Sequence, residues 1–188
     1  MNEYTLEEKY ALIKQELLKC DSEDPIAIVK EIMQKDFVGI HGPEHHFLDG
    51  AAFLTSFKNA GGKINLSECL DELGKRTLKM PGAMCGHWGI CGSVASVGAA
   101  LSIINGTGPL STDDHYKHNM EYAASVLSEM SKIGGARCCK RNAFLSVSRA
   151  VEFVNDKYGM KIKLGNIRCE FSRLNKQCLK NKCPFYKI

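Results

Sequence analysis

Three groups of cysteines constrain this chain more than any other feature. They are Cys85 with Cys91, the adjacent pair Cys138-Cys139, and Cys169, Cys178 and Cys183-Pro184 near the C-terminus. The total of nine is odd, so every disulfide scheme leaves at least one thiol over. The first ten residues, MNEYTLEEKY, are polar and charged and do not read as a secretory signal. A reduced, cytoplasmic setting is therefore expected, in which clustered thiols serve as metal ligands or reactive groups. Thiolates in this number point to an iron–sulfur cluster or to zinc.

The remaining sequence provides enough apolar material for a real core, with 44% hydrophobic residues. Its longest apolar stretch, residues 94–104, is broken by Ser96, Gly98 and Ser102. It falls far short of the roughly 20 residues that cross a bilayer, so no membrane association is expected. The net charge of +4 is uneven. Residues 161–188 hold eight Lys or Arg and one acid, whereas residues 1–160 hold 17 basic and 20 acidic residues. Such a tail is either a solvated basic segment or a compensation for the anionic charge of a thiolate-bound metal. Nucleic-acid binding is not expected, because no aromatic-interleaved motif accompanies the charge.

Periodicity reads as an all-α fold of six to seven helices. Thr5 caps a first helix running to about Cys20, with Leu6, Tyr10, Ile13 and Leu17 on one face. Asp24-Pro25 opens a second, to about Lys35. His41-Gly-Pro-Glu-His45-His46 reads as a loop, followed by helices over 47–60 and 66–78. The glycine-rich segment 81–92 leads into a helix over 93–104, whose small residues let another backbone approach. This helix is expected to be the buried centre of the fold, or else the seam of a homodimer. Caps at 111–114 start a helix to about Lys132, and Cys138-Cys139 starts another that stops at Tyr158-Gly159. Residues 161–164 could form a short strand. The boundary falls near Met160, with a helical domain over 1–160 and a cysteine-rich metal-binding appendage over 161–188 packed on it.

Cys169, Cys178 and Cys183 form the strongest metal signal, and the proline after the last resembles the ferredoxin arrangement. A fourth ligand would come from Cys138 or Cys139; adjacent side chains diverge, so one of the two reaches a given site. Alternatively, three protein ligands leave an open position suited to catalysis. Cys85, Cys91 and His87 lie on glycine-rich chain that lets a ligand come close, and with His45 and His46 they form the catalytic set. Arg137 and Arg141 are placed to grip a carboxylate or phosphate. His115 and His118 read as a solvated helix start.

Four segments carry a resemblance to a known family: HGPEHHFLDGAAFLT from His41, KMPGAMCGHWGICGSVASVGAALSI from Lys79, GGARCCKRN from Gly134 and CEFSRLNKQCLKNKCPFY from Cys169. On these the chain resembles the family catalogued as domain of unknown function 5714. That family occurs largely in anaerobic bacteria and archaea, at times joined to methyltransferase-like domains. The resemblance implies an oxygen-sensitive iron–sulfur centre, 4Fe-4S before zinc, and a methyltransferase-like or redox partner. Segments GICGSVASVGAA from Gly89 and GGARCCK from Gly134 are also similar to the helical iron–sulfur domain of L-serine dehydratases and cysteine desulfidases, although the cysteine spacing differs. That similarity implies lyase chemistry.

The functional expectation is an iron–sulfur enzyme performing a lyase or sulfur-transfer step on a small anionic substrate. The alternatives are a zinc or iron–sulfur module for redox sensing or partner binding, and a metal-free redox protein using Cys85 and Cys91.

Overall fold

In the computed structural model, which describes residues 4–186, the side chains that start each helix also fix its direction. Helix α1 (Leu6–Leu18) opens on a capping box: Thr5 Oγ1 accepts from the Glu8 amide at 3.2 Å, and Glu8 Oε2 accepts from the Thr5 amide at 2.7 Å. Helix α2 (Pro25–Met33) starts at Asp24, which accepts from the Ile26 amide at 3.0 Å. Then follow α3 (His45–Asn59), α4 (Leu66–Thr77), the single turn α5 (Met84–His87), α6 (Gly92–Asn105), α7 (Asp114–Ile133) and α8 (Cys139–Tyr158). Glycines 106 and 159, at φ of 63° and 66°, take the left-handed conformation that ends α6 and α8. The fold is all-α, and no helix among the described residues is long and apolar enough to cross a membrane.

The centre of the fold is a pair of helices. Every residue of α3 from His45 to Phe57 is buried, more completely than α6. The expected central helix, α6, is thus one half of the centre, and α3 is the other. Their contact is the most extensive between any two helices, and Gly50 and Ser96 bring the backbones together. Helices α1, α2, α4, α7 and α8 surround this pair.

Three local expectations are corrected. His45 and His46 lie in the first turn of α3 and not in a loop. Glu44 precedes the turn at the N-cap position, and its buried carboxylate accepts from the Gly39 amide at 2.8 Å and faces Lys9. No strand forms at 161–164 or elsewhere among the described residues. Here the Asn155 side chain takes both backbone groups of Ile162, at 2.9 and 3.0 Å, in place of a neighbouring strand. His115 and His118 are half-buried rather than solvated, with their rings set against Tyr158, and that of His118 also against Phe153.

After α8 the chain is irregular apart from one 3-10 turn (Lys180–Lys182). Ile162 and Phe171 enter the same hydrophobic core as the helices. Phe185 meets Phe144 of α8 edge-on at 5.5 Å between ring centres. Glu170 pairs with Lys30 and accepts from Gln34 on the far side. The cysteine-rich segment is therefore docked against the start of α8 at one end of the bundle.

Candidate metal centre and adjoining cleft

The docked tail brings Cys169, Cys178 and Cys183 around one small cavity, and Cys138, the residue that caps α8, completes its wall. Phe171, Asn175, Leu179 and Phe185 line the remainder. Cys139, one residue on, does not line this cavity; it faces the interior, where burial pushes its thiol up to about 12. The pair divides as adjacent helical side chains must.

Backbone N–H groups surround these sulfurs. Cys138 Sγ accepts from the Arg141 amide and from Asn175 Nδ2, both at 3.5 Å. Cys178 Sγ accepts from the Lys180 amide at 3.4 Å. The Phe171 and Phe185 amides face Cys169 and Cys183 in the same i, i+2 relation. Burial raises the Cys169 and Cys183 thiols, these amides act against it, and neighbouring thiols raise them further. A cation among the sulfurs would reverse that mutual repulsion.

Four thiols are a donor set suited to a thiolate-bound metal, whether zinc or an iron–sulfur cluster. Among the described residues no three His, Cys, Asp or Glu side chains are close enough to hold a single ion. A tetrahedral zinc at about 2.3 Å from each sulfur needs them drawn tightly together. A cluster interposes several irons and inorganic sulfides, and so takes its cysteines from farther apart.

A second, open space of about 790 Å³ adjoins the cavity. Cys85, His87, Cys91, Arg137, Arg141 and Asn142 line it, so it unites three of the five expected catalytic residues with both expected anion-binding arginines. One wall is the loop through α5, in which Ala83 adopts the left-handed region at φ 61°. Among the described residues no carboxylate lines this cleft. Arg141 lines both spaces and is 6% exposed. Its Nε donates to Asn142 Oδ1 and its Nη2 to the Ala136 carbonyl, each at 3.2 Å. Asn142 in turn donates from Nδ2 to Cys91 Sγ at 3.2 Å.

His45 and His46 belong to neither space. His45 Nε2 stands 3.2 Å from Lys140 Nζ, and its Nδ1 is 3.8 Å from Asp49 Oδ1. Lys140, 1% exposed, donates to the Gly39 carbonyl at 2.9 Å and lies 5.0 Å from the centre of the Phe171 ring. Burial brings its amine down to about 8, against the opposing pull of Asp49 and Cys139. His46 packs its ring on Gly92, where a Cβ would come within 2.2 Å. His41 reaches the thiol cavity indirectly, through Asn175 at 3.2 Å.

Sequence reasoning passed over Asp49, Lys140, Asn142 and Asn175. Asp49 had a usable signal, since it follows His45 by four residues on one helix face. The other three owe their roles to tertiary packing.

The model of a family of unknown function, DUF5714, matches residues 13–186. The chain belongs to that family. The DUF5714 match takes in α2 to α8, the last six residues of α1 and the whole described tail, so the cavity and the cleft both lie inside it. No curated protein and no solved structure matches the chain.

Proposed function

We propose that this DUF5714 protein binds an iron–sulfur cluster, of 4Fe-4S type, through Cys138, Cys169, Cys178 and Cys183, and that it is an enzyme of lyase or sulfur-transfer type acting on a small anionic substrate. The observation that carries this reading is the convergence of four thiols from distant segments on one cavity, each met by a backbone N–H. Such donors tune and order thiolate ligands. The free space among the thiols is about 20 Å³, so holding a cluster requires the irregular tail to shift outward.

When bound, a cluster would supply redox capacity and order to the tail. Four cysteine donors leave no position open for a substrate, which favours sulfur transfer over a lyase step that needs an exposed iron. The chain's own groups then do the work at the cleft. Arg137 and Arg141 attract and orient the anion, the absence of carboxylates keeps its charge unopposed, and Cys85, Cys91 and His87 stand ready for thiol and proton chemistry.

The test is anaerobic loading of the protein with iron and sulfide, followed by assay of small carboxylate thiols, hydroxy acids and sulfur oxyanions for release of sulfide, water or sulfite. Turnover by loaded protein supports the enzyme reading, and a fully loaded protein inert toward all three classes counts against it.

A second reading is a zinc-binding module that mediates redox sensing or partner binding. The free space between the thiols, about 20 Å³, favours it, because thiols rotating inward could close on one ion.

A further inference from the structure

We propose that Cys91 is the nucleophile of the cleft and accepts a sulfane sulfur from a small oxyanionic donor. This rests on reading the cleft as the substrate site. Cys91 stands at the N-cap of the 14-residue helix α6; burial raises its thiol, and Asn142 and the Ser93 and Val94 amides act against that rise. That position alone would mean little, but the side chains around it are organised. Arg141 Nε is a donor only, so Asn142 must present its carbonyl oxygen to it and its NH2 to the Cys91 sulfur. The amide orientation is thus fixed by chemistry, and it places a hydrogen-bond donor, polarised by a cation, on the sulfur.

An independent observation points to the ligand. Arg141 is more than nine-tenths buried, and its Nη1 has no hydrogen-bond partner. A guanidinium N–H left without an acceptor is costly, and an anion in the cleft would satisfy it. Arg137 and His87 add donors, and the Ser128 and Ser131 hydroxyls share one wall with Leu127 and Met130. The group recognised is therefore negatively charged, with oxygens to accept from these donors. Cys91 and Arg141 line the same cleft.

The step balances without an external oxidant. The Cys91 thiol gives its proton to solvent at the cleft mouth, and the thiolate attacks the outer sulfur of a donor such as thiosulfate. A sulfur–sulfur bond forms at Cys91. The sulfur–sulfur bond of thiosulfate breaks, and its electron pair leaves with sulfite, whose charge Arg141 and Arg137 hold. The transferred sulfur leaves Cys91 as a persulfide.

The experiment uses the full chain, prepared anaerobically, treated with thiosulfate and then alkylated. Fragmentation of the tryptic peptide carrying both Cys85 and Cys91 should locate one added sulfur on Cys91, with an equal amount of sulfite released. Cys91→Ser should abolish both, and Cys69→Ser, on α4 and outside the cleft, should keep both. Asn142→Ala should slow sulfite release roughly tenfold, the effect of losing a charge-assisted hydrogen bond, with an unchanged circular-dichroism spectrum. Sulfur found on Cys85, or no sulfite from the wild-type chain, overturns the proposal. Iron and sulfide measured on the same sample keep the two readings apart. Persulfide on a chain that cannot hold iron would remove the cluster and leave Cys91 its role. A loaded chain with unmodified Cys91 would do the reverse.

Discussion

The Gly50 amide donates to Ser96 Oγ at 2.9 Å, at the point where α3 and α6 touch backbone to backbone. A Cβ on residue 50 would stand 2.6 Å from the Ser96 carbonyl oxygen, an atom that cannot swing away. Gly50→Ala should therefore push the two central helices apart and cost about 1–3 kcal/mol or more, the usual range for overpacking. Denaturant titration reads this directly. A variant as stable as the parent would mean that the contact is looser than described.

The thiol geometry separates the two adjacent cysteines. Cys138→Ser should lose bound metal, as should Cys178→Ala, which would also loosen the tail. Cys139→Ser should keep the metal, since that side chain does not line the cavity. Metal analysis of the three variants checks the assignment, and equal loss from Cys139→Ser would place that thiol among the ligands.

Asn155 holds the first stretch of the tail through two hydrogen bonds to Ile162. Asn155→Ala leaves both backbone groups unpaired and should cost about 1–3 kcal/mol. Limited proteolysis should then cut within 161–186 at protease levels that spare the parent chain. An unchanged cleavage pattern would show that Ile162 and Phe171 anchor the tail unaided.

Burial lowers the affinity of His46 for a proton, with Asp49 acting in the opposite sense. A folded-state pKa below the ordinary value means that the unfolded chain binds its proton first as pH falls. The stabilising contribution is complete above the usual value of about 6.5 and is lost progressively below it. Stability should decline from about pH 6.5 downward, and the decline should be shallower in His46→Gln. Denaturation midpoints across that range measure the difference, and identical slopes would exclude His46 as a source.

Much of the fold was legible because its signals are local. The Thr5 and Asp24 caps, the stops at Gly106 and Gly159 and the division between Cys138 and Cys139 follow from chain chemistry within a few residues. The start of α3 was misread because Gly42-Pro43 looks like a break. Glu44, just before the turn, ties the preceding loop back through the Gly39 amide, a contact that spacing alone does not reveal. The dominance of α3 in the centre was also hidden, since His45, His46 and Asp49 give it a polar face that is nevertheless buried. At the site, the cysteines and arginines stood out by residue type. Asn142 and Asn175 did not, because an amide becomes informative only once its partners, Cys91 with Arg141 and Cys138 with His41, are brought alongside.

The central claim is that four cysteines hold an iron–sulfur cluster. Anaerobic purification followed by iron, sulfide and zinc quantification, with an absorption spectrum of the same sample, tests it most directly. The account predicts about four irons and four sulfides per chain with broad absorption near 400 nm, all lost in Cys138→Ser. Stoichiometric zinc in a colourless protein, or no metal at all under anaerobic conditions, would contradict it.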